Sequence, residues 1–333
     1  MLTQPSKVVN KNAENPRPLF MYLAYQAVHV PHDVPSSNLY SEGADGWKLA
    51  EVSDWNYRRH FGQTLVALDN AVSKLVDAME SSGMMDSAFL AVASDNGGCP
   101  SDGSNNFPLR GGKFDVFEGG VRVPAFIYSP LLQTRLQGTE YRDLFHVSDW
   151  LPTLLEVTGS SLDELTASID GVSHYDRISS GEYLSQDADS NAAARSEVLL
   201  GLNRWDEVDN EMSELSFDES PGAVILGNYK YIQGQASRKA YNPDSSSARE
   251  CSCGLDSSEV SEWLFDLSSD SYEHKNLWGE TSHAEVLGKC RDRLKAYYKE
   301  SLAHKSVWAD YSAVQSDAME KWDTSGGHVI PWE

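Results

Sequence analysis

The chain has 333 residues, of which 40% are hydrophobic and 23% charged, enough to build one large core or two modest ones and unlike a disordered or fibrous protein. Its 50 acidic side chains outnumber 27 Lys and Arg, and the formal charge of -23 opposes binding to nucleic acid or anionic lipid, so any anionic substrate needs a local cationic pocket. No apolar run approaches the roughly 20 residues of a membrane span, and the polar start from Met1 to Asn15 shows no hydrophobic signal region.

In chain order, Leu19-Phe-Met-Tyr-Leu-Ala24 is a short continuous apolar run, the pattern of a strand covered on both faces. It leads into a turn-rich stretch with Pro31 and Pro35. Between Tyr57 and Ser82, apolar residues at Leu65, Leu68, Val72, Leu75, Val76 and Met79 predict a helix, with Gly83 as its C-cap. Ala88-Phe-Leu-Ala-Val-Ala93 repeats the buried-strand pattern, and strand, helix, strand implies a right-handed crossover in a parallel sheet. Ala125-Phe-Ile-Tyr128 reads as a further strand, and Ser148 is placed to cap a helix from Asp149 to Thr158 that stops at Gly159.

From Asp170 to Glu197 Ser, Asp, Glu and Gly dominate, and periodicity returns only at Val198-Leu-Leu-Gly-Leu202. A domain boundary is expected in that interval, dividing the chain into 1–175 and 176–333. Beyond it, Ala223-Val-Ile-Leu226 and Tyr229-Lys-Tyr-Ile232 flank Gly227-Asn228, a two-residue hairpin signal. Trp263-Leu-Phe-Asp266 adds a strand and Glu285 to Ser301 an amphipathic helix, so the second unit reads as a smaller α+β domain and the first as α/β. Cys251, Cys253 and Cys290 allow one disulfide with one thiol left over, and a single close pair, Cys251-Ser-Cys253, is a weak zinc signal.

Ligands of parallel α/β sheets bind beyond the carboxyl ends of the strands, so the segments leaving the two apolar runs matter most. After the first come His29 and His32 in Gln26-Ala-Val-His-Val-Pro-His32, where prolines restrict the loop. After the second comes Ser94-Asp-Asn-Gly-Gly98: Asp95 and Asn96 offer adjacent oxygens suited to a hard cation such as calcium, and the glycines let backbone approach a ligand. Read alone, Asp-Asn-Gly-Gly is more often merely a turn, and an isolated histidine more often an ordinary loop residue. Pro108-Leu-Arg-Gly-Gly-Lys113 and Phe117-Glu-Gly-Gly-Val-Arg122 come next, with Arg110 and Lys113 as cations for an anionic substrate.

His-x-Pro, Ser-Asp-Asn-Gly-Gly, Pro-Leu-Arg-Gly-x-Lys and Glu-Gly-Gly-x-Arg, in this order, resemble the sulfatase family, with the ordering of its arylsulfatase B (N-acetylgalactosamine-4-sulfatase) subgroup. His146-Val-Ser-Asp-Trp-Leu-Pro-Thr153, Gly227-Asn-Tyr-Lys230, Leu264-Phe-Asp-Leu267 and Ile330-Pro-Trp332 extend the resemblance over nearly the whole chain from about Arg17. The resemblance implies an alkaline-phosphatase-like core, a partial, mostly parallel sheet with flanking helices, followed by the smaller α+β domain. It also implies a sulfuric ester hydrolase in which a cysteine-derived formylglycine attacks sulfur beside calcium. Carried over, Asp95 and Asn96 bind calcium, Lys113 contacts the sulfate and leaving oxygen, and His29 assists departure of the alcohol. Sulfate esters, above all sulfated glycans, are the implied substrates, and a secretory, lysosomal or extracellular location the implied destination.

One part of the pattern is missing. The sequence holds no Cys-x-Pro-x-Arg or Ser-x-Pro-x-Arg from which formylglycine is made, nor the family's early aspartate pair and Lys-x-His segment; Cys99-Pro-Ser-Asp102 is only superficially similar. All of these precede the equivalent of His29 in the family. The chain alone is therefore expected to be inactive, with an incomplete calcium site, and to need an amino-terminal segment of the same protein. Two other readings stand beside it: a non-catalytic relative that binds sulfated glycans or a partner, and a phosphoesterase of the same superfamily, which the motif arrangement disfavours.

Overall fold

A computed structural model of the chain describes residues 4–14, 17–32, 56–161, 168–184, 193–203, 205–208, 211–236 and 260–302. Cys251-Ser-Cys253 and the Ile330-Pro-Trp332 ending lie outside these residues.

Helix α1 (Gln4–Glu14), in a stretch too polar to signal a helix by periodicity, packs on α2 (Asn56–Ser81) and buries Val9; Ser6 Oγ donates to Lys74 O at 3.2 Å. α2 has nearly the expected bounds, with Val66, Ala71 and Leu75 buried along its length. Gly83, at φ +72°, ends it: Gly83 N donates to Glu80 O at 3.1 Å and Met84 N to Met79 O at 2.9 Å, closing carbonyls the last turn leaves open.

Residues 17–26 form neither strand nor helix, so the expected parallel crossover through α2 is not formed among the described residues. β1 (Leu90–Ala93) instead pairs antiparallel with β2 (Ala125–Tyr128), Val92 opposite Phe126 and Leu90 opposite Tyr128. Neither strand is covered on both faces as its apolar sequence suggested; Val92, Phe126 and Tyr128 on one face are 40%, 57% and 49% exposed, and Ala91, Ala93 and Ala125 on the other are exposed too. The physical reason is local: a strand buried on both faces needs layers above and below it, and no helix among the described residues packs on this ribbon.

The four-residue helix α3 (Glu118–Val121) belongs to the glycine-rich loop. α4 (Trp150–Val157) follows a 3-10 turn, Val147–Asp149, and it is this turn that is capped, by His146 rather than Ser148: Ser148 N donates to His146 Nδ1 at 3.4 Å, and His146 N to Asp149 Oδ2 at 2.8 Å. Gly159, φ +77°, stops it as expected. α5 (Tyr175–Ser180) comes next. Asp149 and His174 are fully buried and Arg195 closes over them; His174 bridges Asp149 Oδ2 (3.2 Å) and the Tyr141 hydroxyl (2.7 Å), and Arg195 Nε donates to Asp149 Oδ2 at 2.9 Å.

The second half is built on an antiparallel sheet of order β3-β6-β7-β8, from β3 (Glu197–Leu202), β6 (Gly222–Leu226), β7 (Tyr229–Ala236) and β8 (Val260–Asp266); β4 (Trp205–Val208) and β5 (Glu211–Glu214) pair only with each other. The expected hairpin is present, Leu226 facing Tyr229 across Gly227-Asn228, with Gly227 at φ +58°. Alternation along the strands makes two cores. Val224, Tyr231 and Leu264 face α6 (Ala284–Leu302) through Cys290 and Leu294, whereas Ala223, Ile232 and Phe265 face Phe117 of the glycine-rich loop. The second face thus carries the loop that bears Lys113.

Cys290 is a buried free thiol that burial pushes up to about 11, while Cys99 is disulfide-bonded, its other half lying outside the described residues. The expectation of a bridge drawn from Cys251, Cys253 and Cys290 alone is thereby corrected, since a loop cysteine takes part and the core cysteine does not.

Candidate active site

Three pairs of glycines lock two loops together. Gly97 N donates to Gly120 O at 2.8 Å, Lys113 N to Gly98 O at 3.0 Å, and Gly119 N to Arg110 O at 2.6 Å. The approach is so close that a Cβ on Gly97 would fall 1.7 Å from Gly119 O, one on Gly119 2.5 Å from Arg110 O, and one on Gly112 2.6 Å from Gly98 O. Only glycine allows backbone to lie directly on backbone in this way. Asn106 seals the junction, its amide donating to Gly98 O at 2.8 Å and its Oδ1 accepting from Gly98 N at 2.8 Å. Asp115 caps the turn within, accepting from Gly112 N and Phe117 N.

Lys113 projects from this junction into the open. Its ammonium lies 2.8 Å from His29 Nε2, although the two residues are 84 apart in sequence, and 5.2 Å from the centroid of Phe114. Phe114 has the left-handed φ of +77° and is 67% exposed. His29 Nδ1 is 2.6 Å from Val30 O, which places the ring proton there and leaves Nε2 as acceptor toward Lys113. Asp95 and Asn96 sit immediately before the clipped glycines, with Asn96 N donating to Asp95 Oδ1 at 2.9 Å and the Asn96 amide to Gly97 O at 2.8 Å. The structure therefore brings His29 and Lys113 into side-chain contact and joins Asp95 and Asn96 to them through backbone.

Two other sequence candidates have different roles. Arg110 is buried: it donates to Glu273 O at 3.1 Å, stacks on Phe117 and Trp263 with its Cζ 4.8 and 4.3 Å from the ring centroids, and burial pulls its pKa down. It does not face an anionic substrate, because the aromatic face of the second sheet claims it. His32 braces the loop, with Nε2 3.0 Å from Asp102 O and its ring edge-on to Phe61.

Calcium takes about six to eight oxygens. Asp95 and Asn96 supply a minority, one Asp95 oxygen already accepts a backbone hydrogen bond, and no group of three His, Cys, Asp or Glu among the described residues is arranged to hold a metal. These residues alone do not make a calcium site. A cleft of about 530 Å³ lined by Leu131, Leu132, Gln133, Asp176, Ser179, Ser180 and Glu182 shares no residue with the His29–Lys113 pair and carries acids rather than cations, the wrong sign for sulfate.

Sequence reasoning quoted Glu118 and Lys230 within motifs without a role and missed Glu273; together they form a buried ionic cluster behind Lys113. Lys230 Nζ lies 2.9 Å from Glu118 Oε1 and 2.8 Å from Glu273 Oε1, and Glu118 N donates to Glu273 Oε2 at 2.7 Å. The signal that could have found it is a lysine within the apolar hairpin Tyr229-Lys-Tyr-Ile232, on the face that alternation turns inward.

Residues 1–160 match the family model described as sulfatase. Arylsulfatase J of Mus musculus is 35% identical over 181 residues, covering 54% of this chain and 28% of that protein; N-acetylgalactosamine-6-O-sulfatase of Bacteroides thetaiotaomicron is 23% identical over 292 residues, covering 84% and 47%. The chain thus spans less than half the length of these two relatives. The crystal structure of Ps i-CgsB in complex with a neocarrahexaose has a TM-score of 0.64 at 20% identity, over 89% of this chain and 53% of that one. Its likeness establishes the fold, and the expected α/β sulfatase class is borne out although the strand pairs among the described residues are antiparallel. Residues 1–160 thus match the sulfatase family model and have arylsulfatase relatives, and over 89% of its length the chain shares the fold of a solved structure.

Proposed function

We propose that this chain supplies one wall of a sulfate-ester hydrolase site and that the nucleophile comes from polypeptide outside the present sequence. The observation that carries this is the 2.8 Å contact between Lys113 and His29 beside the Asp95–Asn96 loop. Lys113 is the cation that contacts the sulfuryl and bridging oxygens as charge develops on them, where a preorganised donor has most effect. His29 Nε2, which accepts from the Lys113 ammonium, is placed to take up that ammonium's proton and pass it to the leaving alkoxide when the S–O bond breaks, the proton moving from Lys113 through Nε2 to the alcohol. Asp95 and Asn96 offer part of a calcium coordination shell, which the family completes with ligands this sequence does not contain. Calcium, when held there, supplies further charge for the sulfuryl oxygens.

The bare β1–β2 ribbon supports the second half of the proposal, since a two-stranded ribbon exposed on both faces is at best marginally stable and invites a covering layer. The motif ordering and the N-acetylgalactosamine-6-O-sulfatase relative make sulfated amino sugars the first substrates to try, and the disulfide at Cys99 favours an oxidising compartment of the secretory route.

The test expresses residues 1–333 alone and with a homologous amino-terminal sulfatase segment containing Cys-x-Pro-x-Arg, matured to formylglycine, and assays an aryl sulfate with calcium. Turnover in the combined sample and none from either part is expected, because covalent catalysis needs the nucleophile itself. Turnover by the lone chain, with contaminating sulfatase excluded, would refute the proposal. A stable, monomeric, inactive chain that no segment activates would favour a glycan-binding relative.

A further inference from the structure

The loop that carries Lys113 starts and ends on one residue of the second half of the chain. At its start, Arg110 donates to the Glu273 carbonyl at 3.1 Å; at its end, Glu118 N donates to the Glu273 carboxylate at 2.7 Å. Lys230, from β7, ties the two carboxylates together while fully buried, as is Glu273. Glu273 Oε1 lies 2.8 Å from the Lys230 ammonium, so the pair is a close ion pair shielded from solvent.

This arrangement is expensive. Charges withdrawn from water each lose a large solvation energy, and apolar side chains of similar size commonly replace such clusters without loss of stability. Glu273 also has a left-handed φ of +61°, which non-glycine residues rarely adopt, and Asp270 holds the turn by accepting from His274 N at 3.0 Å and Lys275 N at 2.8 Å. Two unfavourable features therefore coincide at one residue, where apolar packing of Phe117 on Ile232 and Phe265 already fastens the loop to the sheet. What apolar packing does not fix is direction, and ion pairs with defined partners do. Since Lys113 N and Gly97 N are clipped across the same junction, the direction set at Glu273 extends to both Lys113 and the Asp95–Asn96 loop.

We infer that Lys230 and Glu273 are positioning residues for the sulfate site, holding the Arg110–Glu118 loop so that the Lys113 ammonium meets His29. The inference rests on reading Lys113 as the sulfate contact, and its test separates the two. In residues 1–333 with isotope-labelled His and Lys, the His29 ring and the Lys113 ε-methylene should show a nuclear Overhauser contact, and both should shift on titration with sodium sulfate. Lys230→Met, folded by circular dichroism and methyl dispersion, should lose the contact and weaken sulfate binding at least tenfold; Lys230→Arg should restore much of both. Should Lys230→Met fail to fold, Glu273→Gln, which preserves shape and an acceptor, decides the matter and should weaken sulfate binding about fivefold with the contact diminished. A folded Lys230→Met or Glu273→Gln protein that melts at lower temperature yet keeps the wild-type contact and affinity would overturn the inference, leaving the cluster merely structural. Lys113→Ala with undiminished sulfate affinity would instead overturn the placement of sulfate at Lys113, while the His29–Lys113 contact in the other variants would still judge the positioning role.

Discussion

At Asp149 burial alone would raise the carboxyl pKa, but hydrogen bonds from His174, Arg195, Val172 N and His146 N outweigh it and hold the group well below the usual carboxylate range. His146 next to it is also lowered, by burial and then by the Arg195 charge. Both shifts have one sign: the unfolded chain binds the proton more readily, so stability present at neutral pH is lost as pH falls. The loss should begin below about pH 6.5, the ordinary histidine value, and continue below about 3.9, where an unfolded aspartate protonates. Thermal unfolding across pH should show Asp149→Asn well below wild type at pH 7, with the gap starting to narrow below about pH 4 and closing only once pH falls below the depressed folded-state pKa. A gap that stays constant would mean that Asp149 does not act through its charge. Residue identity was legible here only in part: His146 and Asp149 stood in a motif, but nothing in the sequence placed Arg195 over them. Arg110 shows the converse, since a basic residue beside Lys113 in a glycine-rich loop looked like an anion contact until Phe117 and Trp263 enclosed it.

Among elements, those whose signal is local were legible and those that depend on neighbours were not. The period of α2, its glycine stop, the Gly227-Asn228 hairpin and α6 all match their sequence patterns to within a residue or two. Strand direction did not, because an apolar run states what a segment avoids and not which neighbour it pairs with; β1 pairs antiparallel with β2, and the run at 19–24 forms no strand. Glycine pairs gave the opposite lesson. In the sequence, Gly97-Gly98 and Gly119-Gly120 indicated only that backbone could approach something closely; the structure shows that they approach each other. Gly97→Ala, which drives a methyl to 1.7 Å from Gly119 O, should therefore separate the loops, destabilise the protein by about 3 kcal/mol or more, and disorder Lys113 with it. Gly83→Ala offers a control of a different kind, since its Cβ would meet nothing within 4 Å and its cost comes only from φ +72°, about 1 kcal/mol. Chemical denaturation of the two variants checks the ranking, and equal losses would show that the loops do not press on each other so tightly.

For the whole molecule, the proposal has an acidic chain of formal charge -23 offer sulfate a lysine that is held from behind by a buried pair of carboxylates and a second lysine. The second half of the chain thus contributes to the site without touching it, through Phe117 on the sheet and Glu273 on the loop ends. That division was invisible in the sequence, where Lys230 stood in a motif that assigned it no role and Glu273 in none. The central claim is that Lys113 carries the transition-state charge. It is tested most directly by comparing turnover of an aryl sulfate by Lys113→Ala and wild-type chains, each combined with the same formylglycine-bearing segment. Loss of about 100- to 1000-fold in kcat, the effect of removing one oxyanion donor, is the expected result; an unchanged rate would remove Lys113 from the chemistry and contradict the account.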